Sequence, residues 1–139
     1  MKTRFFVCTC ALVFGLAVVA IANDEGDQYD AMFMKPAIAA NMALQKDVMG
    51  GDMGMAAADA GTLQAAFAKV EGYWAKKGGA DDAVGFAKAV EKSAGDVKSA
   101  ATAGDKDAAA AAAKTIAAGC GGCHMAHRVR LPAGGFDLK

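Results

Sequence analysis

The chain has 139 residues, 55% of them hydrophobic and 22% charged, and its 15 basic and 15 acidic side chains balance to a formal charge of zero. That length suits one domain, and the lack of a basic excess excludes a binder of nucleic acid or anionic membrane that works by bulk charge. Long alanine runs and only two prolines make helix the default secondary structure.

Residues 1–22 read as a secretory signal. Lys2 and Arg4 open it, Phe5 to Ile21 form an apolar run, and Ala20-Ile21-Ala22 offers a small-x-small cleavage pattern before the acidic Asn23-Asp24-Glu25. The run is short for a membrane span and no second one follows, so no span is expected once the signal is cleaved. Cys8 and Cys10 leave with it. Losing Lys2 and Arg4 from the 15 basic residues leaves 13 against 15 acidic ones, a formal charge of −2 on residues 23–139. A bacterial periplasm is the expected location.

Glycine-centred breaks divide residues 23–139 into four helical segments. The first runs from about Asp27 to Val48 and stops at Gly50-Gly51, with Asp52 to Met55 as a short connection. The second, from Asp59 to Lys77, places Leu63, Phe67, Val70 and Trp74 on one helical face. Gly78-Gly79 ends it, and Asp81 or Asp82 can cap a third segment. There Phe86, Val90, Ala94, Val97 and Ala101 continue the apolar stripe. The turn at Gly104-Asp105 leads into a fourth segment from Asp105 to Arg130, and Pro132, Gly134 and Gly135 mark an irregular tail. Four helices with short connectors predict an all-α fold, an antiparallel up-down four-helix bundle.

The fourth segment carries Cys120-Gly121-Gly122-Cys123-His124. Two thiols two residues apart with an imidazole directly after the second form the attachment pattern of one covalent c-type haem. Each thiol adds across one vinyl group, and the adjacent histidine lies under the iron as its proximal ligand. A zinc site needs a second ligand pair and a thioredoxin-like site needs a βαβ pattern; the sequence has neither. Gly119, Gly121 and Gly122 each cost about 1 kcal/mol in a helix, a cost consistent with backbone passing close to a porphyrin.

This layout resembles class II cytochrome c, the family of cytochrome c′ and its low-spin relatives. The resemblance rests on the haem motif near the C-terminus, followed by Arg128, and on the segment Asp30-Ala31-Met32-Phe33-Met34-Lys35 of the first helix. It implies that Met34 faces the haem opposite His124, giving six-coordinate iron suited to electron transfer. It also implies a propionate contact for Arg128 and, for some members, homodimers formed through the first two helices. Two positions depart from the pattern: Asp30 stands where the family usually has an arginine, and His127 where it has an aromatic residue.

A methionine thioether is an established haem ligand, but methionine at helical spacing also fills cores. Pro36 either kinks the first helix or stands in its first turn, and either arrangement could swing Met32 toward the iron, making it the second choice. Met42, Met49, Met53 and Met55 read as core or connector residues. His127 lies three residues after His124, hence on the same side of the porphyrin, and reads as a haem-edge or surface histidine. Arg130 suits either a propionate or the helix C-terminus, Trp74 and Tyr73 read as packing residues, and Lys76-Lys77 as charges on the helix dipole.

The sequence thus predicts a periplasmic mono-haem cytochrome that passes single electrons to redox partner proteins. It shows no acid–base pair and no activated nucleophile, so no enzyme is expected. The alternative is a five-coordinate cytochrome c′ that binds NO or CO at an open distal site. A third reading is a haem-free helical bundle whose cysteines pair with each other.

Overall fold

A computed structural model describes residues 24–132 and 134–139, and the expected signal lies outside the described residues. The first helical rod has three parts: α1 (Asp24–Tyr29), a π-helical turn (Asp30–Met34) and α2 (Lys35–Gly50). Pro36 explains the middle part. It sits within the first two positions of α2 and has no N–H to offer the carbonyl of Met32. The ladder is rewired just before it, with the Lys35 N–H bonding the Asp30 carbonyl five residues back.

Gly51 takes a left-handed φ of 77° and ends α2. Asp52 then accepts a 3.1 Å hydrogen bond from the Met55 N–H and so caps α3 (Met53–Lys77). The helix therefore starts at Met53 rather than Asp59, because a carboxylate at residue 52 satisfies a donor that a longer connection would leave free. Helix α4 (Asp81–Thr102) follows Ala80 without a side-chain cap. Asp81 and Asp82 stand in its first turn, where their charge favours the positive end of the helix dipole. Asp105 caps α5 (Lys106–His127), its Oδ1 accepting from the Ala108 N–H at 2.9 Å.

The apolar stripes meet in one core. Leu63, Phe67, Val70 and Trp74 of α3 and Val90, Ala94, Val97 and Ala101 of α4 are buried, joined by Leu44 of α2 and Ile116 of α5. The four long helices pack as chain neighbours and α2 also meets α5, forming a helical bundle. Gln45 ties that last pair by donating to the Ala113 carbonyl at 3.2 Å. Two of the α5 glycines have a packing reason unrelated to any ligand. A Cβ on Gly119 would stand 2.6 Å from Val90 Cγ2, and one on Gly122 would overlap the Phe86 ring.

The structure is not wholly helical. α5 ends at His127, and Arg128–Arg130 (β1) pairs antiparallel with Phe136–Leu138 (β2), setting Arg130 opposite Phe136. The tail expected to be irregular is thus a hairpin, turning through Gly134 and Gly135 at positive φ. Side-chain contacts hold it: the Arg128 guanidinium lies 3.2 Å over the Phe136 ring. Strand β2 also presses on α1 so closely that a Cβ on Gly26 would sit 2.6 Å from the Phe136 carbonyl oxygen. Among the described residues no helix is long and apolar enough to cross a membrane.

Candidate functional site

A cavity of about 340 Å³ opens between the first helical rod, α3, α5 and the hairpin. Its volume lies within the usual range of small-molecule sites, roughly 300–1,000 Å³. Cys120, Cys123 and His124 line it from α5, Met34 from the π-helical turn, and Arg128 from the start of β1. Residues from opposite ends of the sequence therefore share one wall-to-wall space. Ala37, Phe67, Val70 and Trp74 give it an apolar lining, and Phe136 and Leu138 cover it from the hairpin. Met32 lies elsewhere: it is 64% exposed and does not border the cavity.

Both cysteines are free thiols, half-buried in the wall. Burial raises the Cys120 thiol above its usual range. Burial, then the charges of Cys120 and Asp82, pushes Cys123 up to about 11. Thiols held protonated in this way are poor thiolate nucleophiles, unlike the acidic cysteines of thiol–disulfide enzymes. His124 stands at the mouth of the cavity with much of its surface exposed. The atoms crowding its ring, followed by the Arg128 charge, still hold it below the ordinary histidine value. A neutral imidazole is the form that ligates metal.

His127 faces the same cavity but is held from three sides. Its ring packs on Trp74 with centroids 5.1 Å apart, Nδ1 is 3.1 Å from the Lys139 carbonyl oxygen, and Nε2 is 2.9 Å from Asp82 Oδ1. That proximity holds the Asp82 carboxyl below the usual aspartate range. The Lys139 N–H in turn donates to the His127 carbonyl at 3.1 Å, closing the hairpin onto the helix end. His127 is accordingly a latch between α5, α4 and the tail.

No family model matches this chain, and neither does any curated protein or solved structure. The site must be read from its own residues.

Several of these residues gave no sequence signal. Tyr29 is buried beside the cavity, and its hydroxyl accepts a 2.9 Å hydrogen bond from Trp74 Nε1. Burial pushes its hydroxyl up to about 12. Tyr73, tilted against Tyr29 at 4.8 Å between centroids, donates to Glu25 Oε1 at 2.5 Å, and Lys77 pairs with the same carboxylate. Lys77 thus ties α3 to α1, a role beyond the helix dipole. Tyr29, Asp82 and Phe136 have no spacing relation to the cysteine motif, so only packing could associate them with it.

The methionines expected in the core or in a connector divide. Met53 is half-buried and packs on the core edge. Met49 and Met55, 82% and 52% exposed, flank the α2–α3 turn, whereas Met42, 68% exposed in the middle of α2, is neither core nor connector. Helical spacing alone cannot tell which stripe of a rod faces its neighbours when alanine supplies most of the buried face.

Proposed function

We propose that this chain is an exported mono-haem cytochrome of the class II type, an electron carrier with haem held by thioether bonds from Cys120 and Cys123. The observation that carries this reading is the single cavity lined by both thiols, the His124 imidazole and the Met34 thioether. The residues present fit the group. The lining is largely apolar, both thiols are free to add across a vinyl group, and the imidazole is shifted toward its neutral form. When bound, the haem supplies a reversible one-electron couple.

The chain's own residues do the rest. His124 and Met34 offer a nitrogen and a sulfur ligand, a pair that raises a haem potential relative to two histidines. Phe67, Val70 and Trp74 give the cavity an apolar wall, and the hairpin borders it from the tail. Arg128 brings the nearest guanidinium, suited to a propionate carboxylate, although in this structure it stacks on Phe136. In this reading the four helices form the up-down bundle of the family, and the protein meets its redox partners in the periplasm.

An absorption spectrum of the ferric and ferrous protein, made in a host that attaches c-type haem, tests the proposal. Low-spin bands that disappear in Met34→Ala are expected. A high-spin ferrous spectrum with rapid CO binding would favour gas capture instead, a reading that the apolar lining also suits. A colourless product with no tetrapyrrole mass would exclude both.

A further inference from the structure

The aromatic rings beside the cavity form a feature that the haem reading does not use. Trp74, the single tryptophan of the chain, borders the cavity together with Cys120, Cys123 and His124, and is 1% exposed. Its ring meets Tyr73 edge-on, with centroids 5.4 Å apart and planes at 87°, a favourable aromatic contact. Tyr73 is half-buried and reaches the surface, where its hydroxyl donates to Glu25 Oε1 at 2.5 Å. Tyr29, the other tyrosine, packs against both rings but is only 6% exposed, and its hydroxyl is the acceptor of the Trp74 Nε1 proton. Contacting rings therefore lead from the cavity wall to a surface phenol whose proton already faces a carboxylate.

We propose that Trp74 and Tyr73 carry oxidising equivalents out of the cavity, with Glu25 taking the proton that Tyr73 loses. The oxidant is a one-electron oxidant of the kind a peroxide generates in the cavity; its source rests on the haem reading, whereas the path does not. It takes one electron from Trp74, Tyr73 returns one electron to the indole, and the Tyr73 hydroxyl proton moves to Glu25. Tyr73 is left as a neutral phenoxyl radical and Glu25 as a carboxylic acid. A phenol yields its electron to an oxidised indole readily only when its proton leaves too, because an oxidised phenol is a far stronger acid than the phenol itself. Lys77 pairs with the same carboxylate and keeps Glu25 ionised, in the form that can accept. The consequence is that oxidising equivalents leave the side of Met34, whose thioether is open to sulfoxide formation, for a surface where a small reductant can quench them.

The full mature chain is tested in two ways. A laser flash that ejects an electron from Trp74 needs no bound group, and the indolyl absorption should decay as the phenoxyl absorption grows. Peroxide added to the ferric holoprotein, followed by freeze-quenching and electron paramagnetic resonance, should give a radical signal that narrows with ring-deuterated tyrosine. Tyr73→Phe should abolish the phenoxyl species in both experiments, and Tyr29→Phe should retain it. Glu25→Gln keeps a hydrogen-bond acceptor but is a much weaker base. It should slow phenoxyl formation by about tenfold, less than the roughly 100-fold or more of a well-positioned base because water also reaches this pair, with helical circular dichroism unchanged. Phenoxyl at full yield in Tyr73→Phe, or an unchanged rate in Glu25→Gln, would overturn the path. Silence toward peroxide with the flash transfer intact would support the path and count against the haem.

Discussion

Gly119→Ala and Gly121→Ala differ by half a helical turn on α5, yet only Gly121→Ala should stabilise the protein. Both replacements remove the same helix-propensity penalty, about 1 kcal/mol. At Gly121 a Cβ meets nothing within 4 Å, so that gain stands. At Gly119 it would press to 2.6 Å from Val90 Cγ2, with the Phe86 carbonyl oxygen at 3.3 Å behind it. Val90 is only 1% exposed and cannot swing into solvent, so α4 or its rotamer must give way. Overpacking of this kind costs about 1–3 kcal/mol. Propensity cancels between the two variants, so they should differ by about 1–3 kcal/mol, with wild type between them or level with Gly119→Ala. Urea unfolding followed by helical circular dichroism reads this directly. With a slope of about 1–3 kcal/mol per molar urea, a 2 kcal/mol gap separates the midpoints by about 1 M. Coincident midpoints would show that α4 and α5 do not approach each other at Gly119, and the packing account of the motif glycines would fail.

Trp74→Phe leaves the buried Tyr29 hydroxyl without its donor and should cost about 1–3 kcal/mol in the same assay; Trp74→Phe/Tyr29→Phe should lose less than the sum of the single variants. Folded Tyr29 keeps its proton to about pH 12, whereas the unfolded chain releases it near 10. Its contribution is therefore complete below pH 10 and lost as pH rises toward 12, and Tyr29→Phe should flatten that part of a stability–pH curve. Asp105→Ala removes the cap of the helix that bears the cysteines and should lower stability by about 1 kcal/mol in the same urea assay.

Much of the helical layout could be read before any coordinates. The stops at Gly51, Gly78 and Gly104 and the start of the fourth segment at Asp105 are local events, decided by a positive φ or by one carboxylate facing a nearby N–H. The stripe from Leu63 to Trp74 is likewise a matter of period, and all four of those side chains are buried. The misplaced boundaries have local causes too. Asp52 reads as part of a connection because glycines stand on either side of it, and only its bond to the Met55 N–H shows it to be a cap. The hairpin was not legible, since two three-residue strands around Pro132 and two glycines carry little alternation. Their pairing depends on Arg128 meeting Phe136 and on β2 meeting α1.

The order of thiols and imidazole on one helix belongs to the sequence by itself, because Cys120, Cys123 and His124 lie within about one turn and no packing can separate them. What stands across from them was decided only in three dimensions. Met34 rather than Met32 borders the cavity because Pro36 and the π-helical turn set the rotation of the first rod. His127 is held by Asp82 and Lys139 because two chain segments distant in sequence converge on its ring. Periodicity specifies a face relative to its own axis. Which face turns inward, and what it meets there, is chosen by the packing of rods whose mutual rotation no local interaction constrains.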